Sequence, residues 1–277
     1  MGSGLVIGGE RILAPGIDVS NFLDHPRLRL DPGDVRLRAS WERSWIHLIV
    51  AHTTGGIPGG SDHRPQLVKP GLGRSSNAGE RIVSSWTHDK SRPGGAHLIV
   101  DYDGKAYCCA DLLQEAAYHA QRANGVSVGI EVAQDHSDAS LYEGQLAAAA
   151  RLAVEVARLM PVPIQLQIPS SYSGSPVRRF VESLERSQPL SNVVGIVGHR
   201  DLTASRGSGD PGDALMDALE AAGCERLDFA DSADLTIWKK RQVWLGIPPE
   251  SADGVPGPRT VEALRERGHR AGIWRLT

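Results

Sequence analysis

The sequence predicts an α/β fold: a central mixed β-sheet flanked by helices, with a small helical appendage at the C-terminal end. Three observations predict it. Short apolar runs recur at 45–52 (WIHLIVAH), 96–109 (AHLIVDYDGKAYCC), 127–134 (SVGIEVAQ) and 191–199 (SNVVGIVGH). Each is flanked by turn residues and is short, as buried strands are. Segments of helical period alternate with these runs, and such alternation is the signature of an α/β architecture. The chain of 277 residues is 40% hydrophobic and 23% charged, enough apolar material for one large domain with a small addition.

The elements follow in order. Residues 1–44 are expected to be an irregular N-terminal segment, because Pro15, Pro26 and Pro32 interrupt any long element. The run at 45–52 reads as a buried strand ending at His52. A Gly-, Pro- and Ser-rich loop then extends to Asn77, and a loop of that length in a compact domain is usually functional. The segment from Ala78 to Lys90 reads as a short helix, and 96–109 as a hairpin turning at Tyr102-Asp103-Gly104. Residues 140–160 form the clearest helix, with Leu146, Ala149, Leu152, Val156 and Leu159 near helical spacing and Arg151 and Glu155 off that stripe. A second helix is expected from Val177 to Ser187, a strand ends at His199, and a helix starts after Asp210-Pro211-Gly212. These elements bound a main domain at 45–226. Residues 236–277 read as helix, Asp-Gly loop and helix beyond a linker.

Bulk properties exclude several classes. A formal net charge of −3 offers no electrostatic footprint for nucleic acid. No apolar run reaches the length of a membrane span. The N-terminal residues lack a basic start followed by an apolar core, so no signal peptide is expected. Cys108, Cys109 and Cys224 are an odd, sparse set. That is no disulfide framework, and the expectation is small buried hydrophobes in a chain made in a reducing cytoplasm.

The histidines carry the chemistry. Five of the ten, His25, His63, His88, His136 and His269, lie in loops or on polar helix faces, and His47 sits among apolar neighbours as a packed side chain. His52 and His199 differ, since each closes an apolar strand and opens a loop, where side chains point into clefts. Two neutral imidazoles and a carboxylate make a three-ligand zinc set with a fourth position open; His52, His199 and Asp210 are the candidates. Glu131 alternates with Ile130 and Val132 along its strand. It is either a carboxylate on a solvated face or a general base beside the metal, in which case partial burial would raise its pKa toward neutrality.

Four stretches, IVAHTTGG, GGAHLIVDYDGKAYCCADL, AAYHAQRANGVSVGIEVA and GHRDLTASRGSGDPG, occur in that order between about residues 49 and 212. Together they resemble the successive motifs of zinc-dependent N-acetylmuramoyl-L-alanine amidases, the superfamily that includes peptidoglycan-recognition proteins and phage lysins. The resemblance implies a mixed sheet flanked by helices, with one zinc ion per chain in an open groove. It makes His52, His199 and Asp210 the metal ligands and Glu131 the catalytic base. It places His119 and Asn124 along the substrate groove and gives His97 a structural role. It also implies hydrolysis of the amide between N-acetylmuramic acid and L-alanine, in a cell-wall lytic amidase.

Two departures bear on the oxyanion. Many relatives carry a lysine two residues before the third ligand, where this chain has Ser208; Arg206 and Arg200 are the nearby cations, and a guanidinium does not reproduce an ammonium point charge. Phage-type members place a tyrosine before the second-strand histidine, where this chain has Ala96. Gln242, Leu245-Gly246-Ile247 and ADGVPGPRT in the tail resemble the end of a peptidoglycan-binding domain. The implied partners are peptidoglycan or muramyl peptides, with an immunity protein and secretion machinery if the chain is an injected effector. The expected place of action is the periplasm or wall, after lysis or non-classical export, with cytoplasmic recycling as the alternative. Two other readings stay open: a non-catalytic peptidoglycan-recognition module, and a metallohydrolase of another amide on the same fold.

Overall fold

A computed structural model describes residues 3–43, 45–54, 67–74, 77–88, 94–135, 137–160, 164, 166–169, 177–178, 181, 190, 193–203 and 209–227, and in the tail 239, 242–243, 246–253, 259 and 263. The strands, in chain order, are β1 (Leu5–Ile7), β2 (Glu10–Ile12), β3 (Val19–Asn21), β4 (Val35–Leu37), β5 (Leu48–Thr53), β6 (Val68–Lys69), β7 (Leu98–Val100), β8 (Ala106–Cys108), β9 (Glu115–Ala117), β10 (Ser127–Val132), β11 (Leu141–Tyr142), β12 (Gln167–Pro169), β13 (Gly195–Gly198) and β14 (Glu225–Leu227). The helices are α1 (Ser40–Arg43), α2 (Ala78–His88), α3 (Glu143–Leu159) and α4 (Asp213–Ala221), with a 3-10 turn at Gln121–Val126.

Among the described residues the main sheet has six strands in the order β13-β5-β10-β7-β8-β3. The pairs β13/β5, β5/β10, β10/β7 and β8/β3 are parallel, and β7/β8 is the antiparallel hairpin. The fold is therefore the mixed α/β sheet expected. The N-terminal segment differs from its expectation. Residues 3–43 hold four short strands and a helical turn, and β3 forms an edge of the main sheet. The prolines exclude long elements but leave room for three-residue strands between them. The tail and the segment 177–187 fall mostly outside the described residues.

Alternation divides the sheet into two chemically distinct faces. Ile49 and Ala51 of β5, Val128, Ile130 and Val132 of β10, Leu98 and Val100 of β7 and Ile196 of β13 face α3 and α4 in one continuous core. That side is apolar because Leu146, Leu152, Val156, Leu215, Met216 and Leu219 project from the two helices onto it. Gln145 fixes the start of α3. Its side chain is fully buried and donates to the carbonyls of Ala133 at 2.7 Å and Val100 at 3.3 Å, tying the helix to the ends of β10 and β7.

The opposite face is mixed. Leu48, Val50 and Val197 pack with Ala120, Ala123 and Leu202, and Ile99 and Tyr107 pack with Val83 of α2 and Phe22. Between these apolar groups lie His52, His97, Ser127, Gly129 and Glu131, the alternate positions of β5 and β10 and the residue before β7. The three cysteines are free and buried, as expected. Burial pushes the thiol of Cys108 up to about 12 and that of Cys224 to about 11, and holds Cys109 well above its usual range.

The helix stripe predicts an asymmetric pair of variants. Leu152→Ala, at a fully buried position of α3, should lower unfolding stability by about 2–5 kcal/mol. Arg151→Ala, one residue away and exposed, should stay within about 0.5 kcal/mol of wild type. Urea denaturation checks both, and equal losses would refute the assigned helix face.

Candidate metal centre

Parallel pairing aligns the strand ends. His52 is the register partner of Glu131, and Gly198, the last residue of β13, pairs with Ala51. His199 therefore emerges from β13 level with His52. His52, Glu131 and His199 thus lie at the carboxyl ends of three adjacent parallel strands, where open α/β sheets bind ligands. Gly198 permits the turn, because a Cβ there would meet Cδ of Pro211 at 2.9 Å.

Asp210 returns to this edge through backbone bonds. Its Oδ1 accepts from the Thr53 amide at 3.1 Å, its carbonyl accepts from the Arg200 amide at 2.7 Å, and the Thr53 hydroxyl donates to the Gly209 carbonyl at 2.6 Å. These contacts bring together the three residues singled out by the strand ends and the Asp-Pro-Gly loop. Their candidate ligand atoms all lie within 4.8 Å of one another, and His52, His199 and Asp210 are at most 3% exposed.

The distances suit a small tetrahedral cation. Nδ1 of His199 lies 3.1 Å from Oδ2 of Asp210, and Nδ1 of His52 lies 3.7 Å from Oδ1. Nitrogen and oxygen ligands of tetrahedral zinc stand about 3.3 Å apart. Nδ1 of His199 is buried and has no hydrogen-bond partner among the described residues, although a carboxylate oxygen is close. A buried polar atom left in that condition needs an explanation, and a shared cation supplies one. Glu131 approaches from the side, with Oε2 at 4.0 Å from Nδ1 of His52 and the side chain 12% exposed.

His119 stands beside the cluster. Its Nδ1 is 2.9 Å from Nε2 of His52, and its Nε2 is 3.1 Å from Oγ of Ser127, so both ring nitrogens are engaged within the protein. The ring lies directly over Gly129, where a Cβ would come within 2.7 Å of it. Burial, followed by the neighbouring His97, His199 and Arg38, holds its pKa well below the usual histidine value and keeps the ring neutral. Asn124 also works locally: its Oδ1 accepts from the amides of Ala120 at 2.6 Å and His119 at 3.1 Å, fixing the bend that carries His119. Ser208 and Arg206 lie outside the described residues. Arg200 is 2% exposed, and its guanidinium is committed to Asp213 in the first turn of α4.

One element of the site has no signal in the sequence. Arg38, only 3% exposed, donates Nε to the Gly125 carbonyl and Nη1 to the Leu112 carbonyl, each at 3.1 Å, and Nη2 to the carbonyls of Asn124 and Ser127. Burial pulls its pKa down to about 9, so it remains a cation at neutral pH. His97, completely buried, is the adjoining pillar. Its Nδ1 accepts from the Gly129 amide at 3.0 Å, which in the neutral ring leaves the proton on Nε2, 3.0 Å from the Glu115 carbonyl and 3.1 Å from Nη2 of Arg38. Burial first, and then the charge of Arg38, hold it well below its ordinary value. A structural role for His97 fits these bonds.

The profile of the N-acetylmuramoyl-L-alanine amidase family matches residues 42–213. Among solved structures, the chain is similar to peptidoglycan recognition protein SD from Drosophila. The similarity is 14% identity over 77% of this chain and 99% of that one, at a TM-score of 0.45. No curated protein sequence matches.

The neutral His97 makes stability pH-dependent in one direction. The unfolded chain takes up a proton near the ordinary value of 6.5, and the folded one does so only well below it. The unfolded state therefore binds more protons through that window, and stability rises with pH across it. The contribution is complete above 6.5 and is lost as pH falls below that value. Unfolding midpoints at a series of pH values should show this decline, and His97→Gln should have a shallower slope. An unchanged slope would mean that His97 does not remain neutral in the folded state.

Proposed function

Since the chain belongs to the N-acetylmuramoyl-L-alanine amidase family, we propose that it hydrolyses the amide between N-acetylmuramic acid and L-alanine in peptidoglycan, using one zinc ion held by His52, His199 and Asp210. The observation that carries this reading is the convergence of two imidazole Nδ1 atoms on one buried carboxylate, with Glu131 beside them. A recognition module needs a groove but no complete ligand set of this kind.

Zinc in this position supplies Lewis-acid polarisation of the scissile carbonyl and lowers the pKa of water. Glu131 handles the proton: its Oε2 takes it as water attacks and returns it to the departing L-alanine amine. Its side chain is only 12% exposed, so the base stands largely out of bulk water. Asp210 is held rigid by the Thr53 amide and His52 by His119, so the donors need little rearrangement. Arg206 is the proposed cation for the oxyanion, with Ser208, His119 and Asn124 along the substrate groove.

The segment 236–277 is proposed to hold the enzyme on wall polymer, raising the effective concentration of the groove at its substrate. Action on the wall, reached by lysis or by export with a secretion partner and an immunity protein, is the proposed setting; cytoplasmic recycling of wall fragments is its alternative.

Elemental analysis should find one zinc per chain in wild type and little in His199→Ala. Glu131→Gln should keep the metal and the fold while losing about a hundredfold to ten-thousandfold in hydrolysis. Mass analysis of digested sacculi should show free L-alanine amines on intact glycan. Full activity in His199→Ala would overturn the ligand assignment. Zinc binding without any cleavage of wall material would favour recognition, or an amide other than this one.

A further inference from the structure

The chain of contacts behind His52 has a direction, and that direction reaches the metal-binding atom. It begins at the Ala123 carbonyl, which can only accept. The Ser127 hydroxyl, on a fully buried residue, donates its single proton there at 2.6 Å. Oγ of Ser127 can then meet Nε2 of His119, 3.1 Å away, only as an acceptor. In a neutral His119 this places the proton on Nε2 and leaves Nδ1 bare. Bare Nδ1 accepts from Nε2–H of His52 at 2.9 Å. In a neutral His52 the remaining nitrogen, Nδ1, is then the unprotonated one, and it is this atom that faces Asp210 and Glu131.

We propose that Ser127 and His119 are positioning residues that fix the tautomer of His52, so that Nδ1 is presented as a lone-pair donor before any metal arrives. Without the chain, a neutral His52 would divide its proton between two nitrogens, and the fraction with Nδ1–H would have to rearrange before it could ligate. The support is built into one strand and the bend before it. Ser127 opens β10, Gly129 leaves space for the His119 ring two residues on, and Asn124 holds the bend from which His119 projects. Partners that orient ligating histidines in this way typically contribute about tenfold to a hundredfold in metal affinity.

The proposal rests on the metal reading above only for its purpose; the tautomers themselves can be read in metal-free protein. Nitrogen NMR of protein labelled with 15N-histidine, stripped of metal and assigned with single-histidine variants, should show His119 and His52 both protonated on Nε2 and bare on Nδ1. His119 carrying its proton on Nδ1 would overturn the proposal. Zinc affinity, measured by chelator competition, should fall about tenfold to a hundredfold in Ser127→Ala, with His119 and His52 populating mixed tautomers. Ser127→Thr, which retains the hydroxyl, should restore both readouts. If Ser127→Ala fails to fold, the paired variants His119→Asn and His119→Leu carry the test. The asparagine oxygen can stand where Nδ1 stood and should retain more affinity than leucine. Wild-type affinity and unmixed tautomers in Ser127→Ala, or equal affinity in the His119 pair, would refute the positioning role while leaving the metal reading intact. Absence of zinc binding by wild type would refute the metal reading, with the tautomers still measured independently.

Discussion

The site depends on the register in which β5 is held between β10 and β13. Parallel neighbours bring residues of equal level onto the same face. The pairing His52 with Glu131 and Ala51 with Gly198 therefore brings a base and two metal-ligand candidates to one corner. A slip of one residue along β5 would turn His52 into the apolar layer under α3 and bring Ala51 or Thr53 to the corner. The same slip would take Ile49 out of the helix-side core and turn Val50 into it. Because the continuous core on the helix side and the polar cluster on the other side demand the same register, the fold and the site stabilise one another.

Arg38 shows how much of the molecule is recruited to hold that corner. A guanidinium enclosed in protein is costly unless its donors are satisfied, and here they are satisfied by main-chain carbonyls at four positions, including the first residue of β10. The N-terminal segment is thereby joined to the bend carrying Asn124 and His119. Burial chiefly keeps His97 and His119 neutral, and the fixed positive charge of Arg38 adds to it, more at His97 than at His119; neutrality is what lets His119 act as a directed link.

How much of this was legible in the sequence follows from the range of each interaction. His52, Glu131 and His199 were visible because each belongs to a short apolar run whose end marks a face and a level. Asp210 was visible because Asp-Pro-Gly ends a loop and begins a helix. Arg38 was not, since its partners are scattered from Leu112 to Ser127 and no local pattern links them to it. The strands β1 to β4 escaped because three residues are too few to show an alternation. The orientation of His119 was hidden because it depends on a missing Cβ at Gly129 and on a hydroxyl at Ser127, neither adjacent in the chain. Arg200 looked like an available cation by its spacing from Asp210, yet its burial against α4 removes it from the open groove.

The three cysteines have a consequence of another kind. Burial holds all three thiols above their usual range, Cys224 at about 11, Cys108 at about 12 and Cys109 well above it. Little thiolate therefore forms at neutral pH, and the thiolate is the species that attacks disulfides and reacts with oxidants. Cys108 and Cys109 are neighbours in sequence, but both are sealed within the domain. While the domain stays folded, all three cysteines are shielded from thiol exchange, so a passage between reducing and oxidising surroundings puts little pressure on its covalent structure.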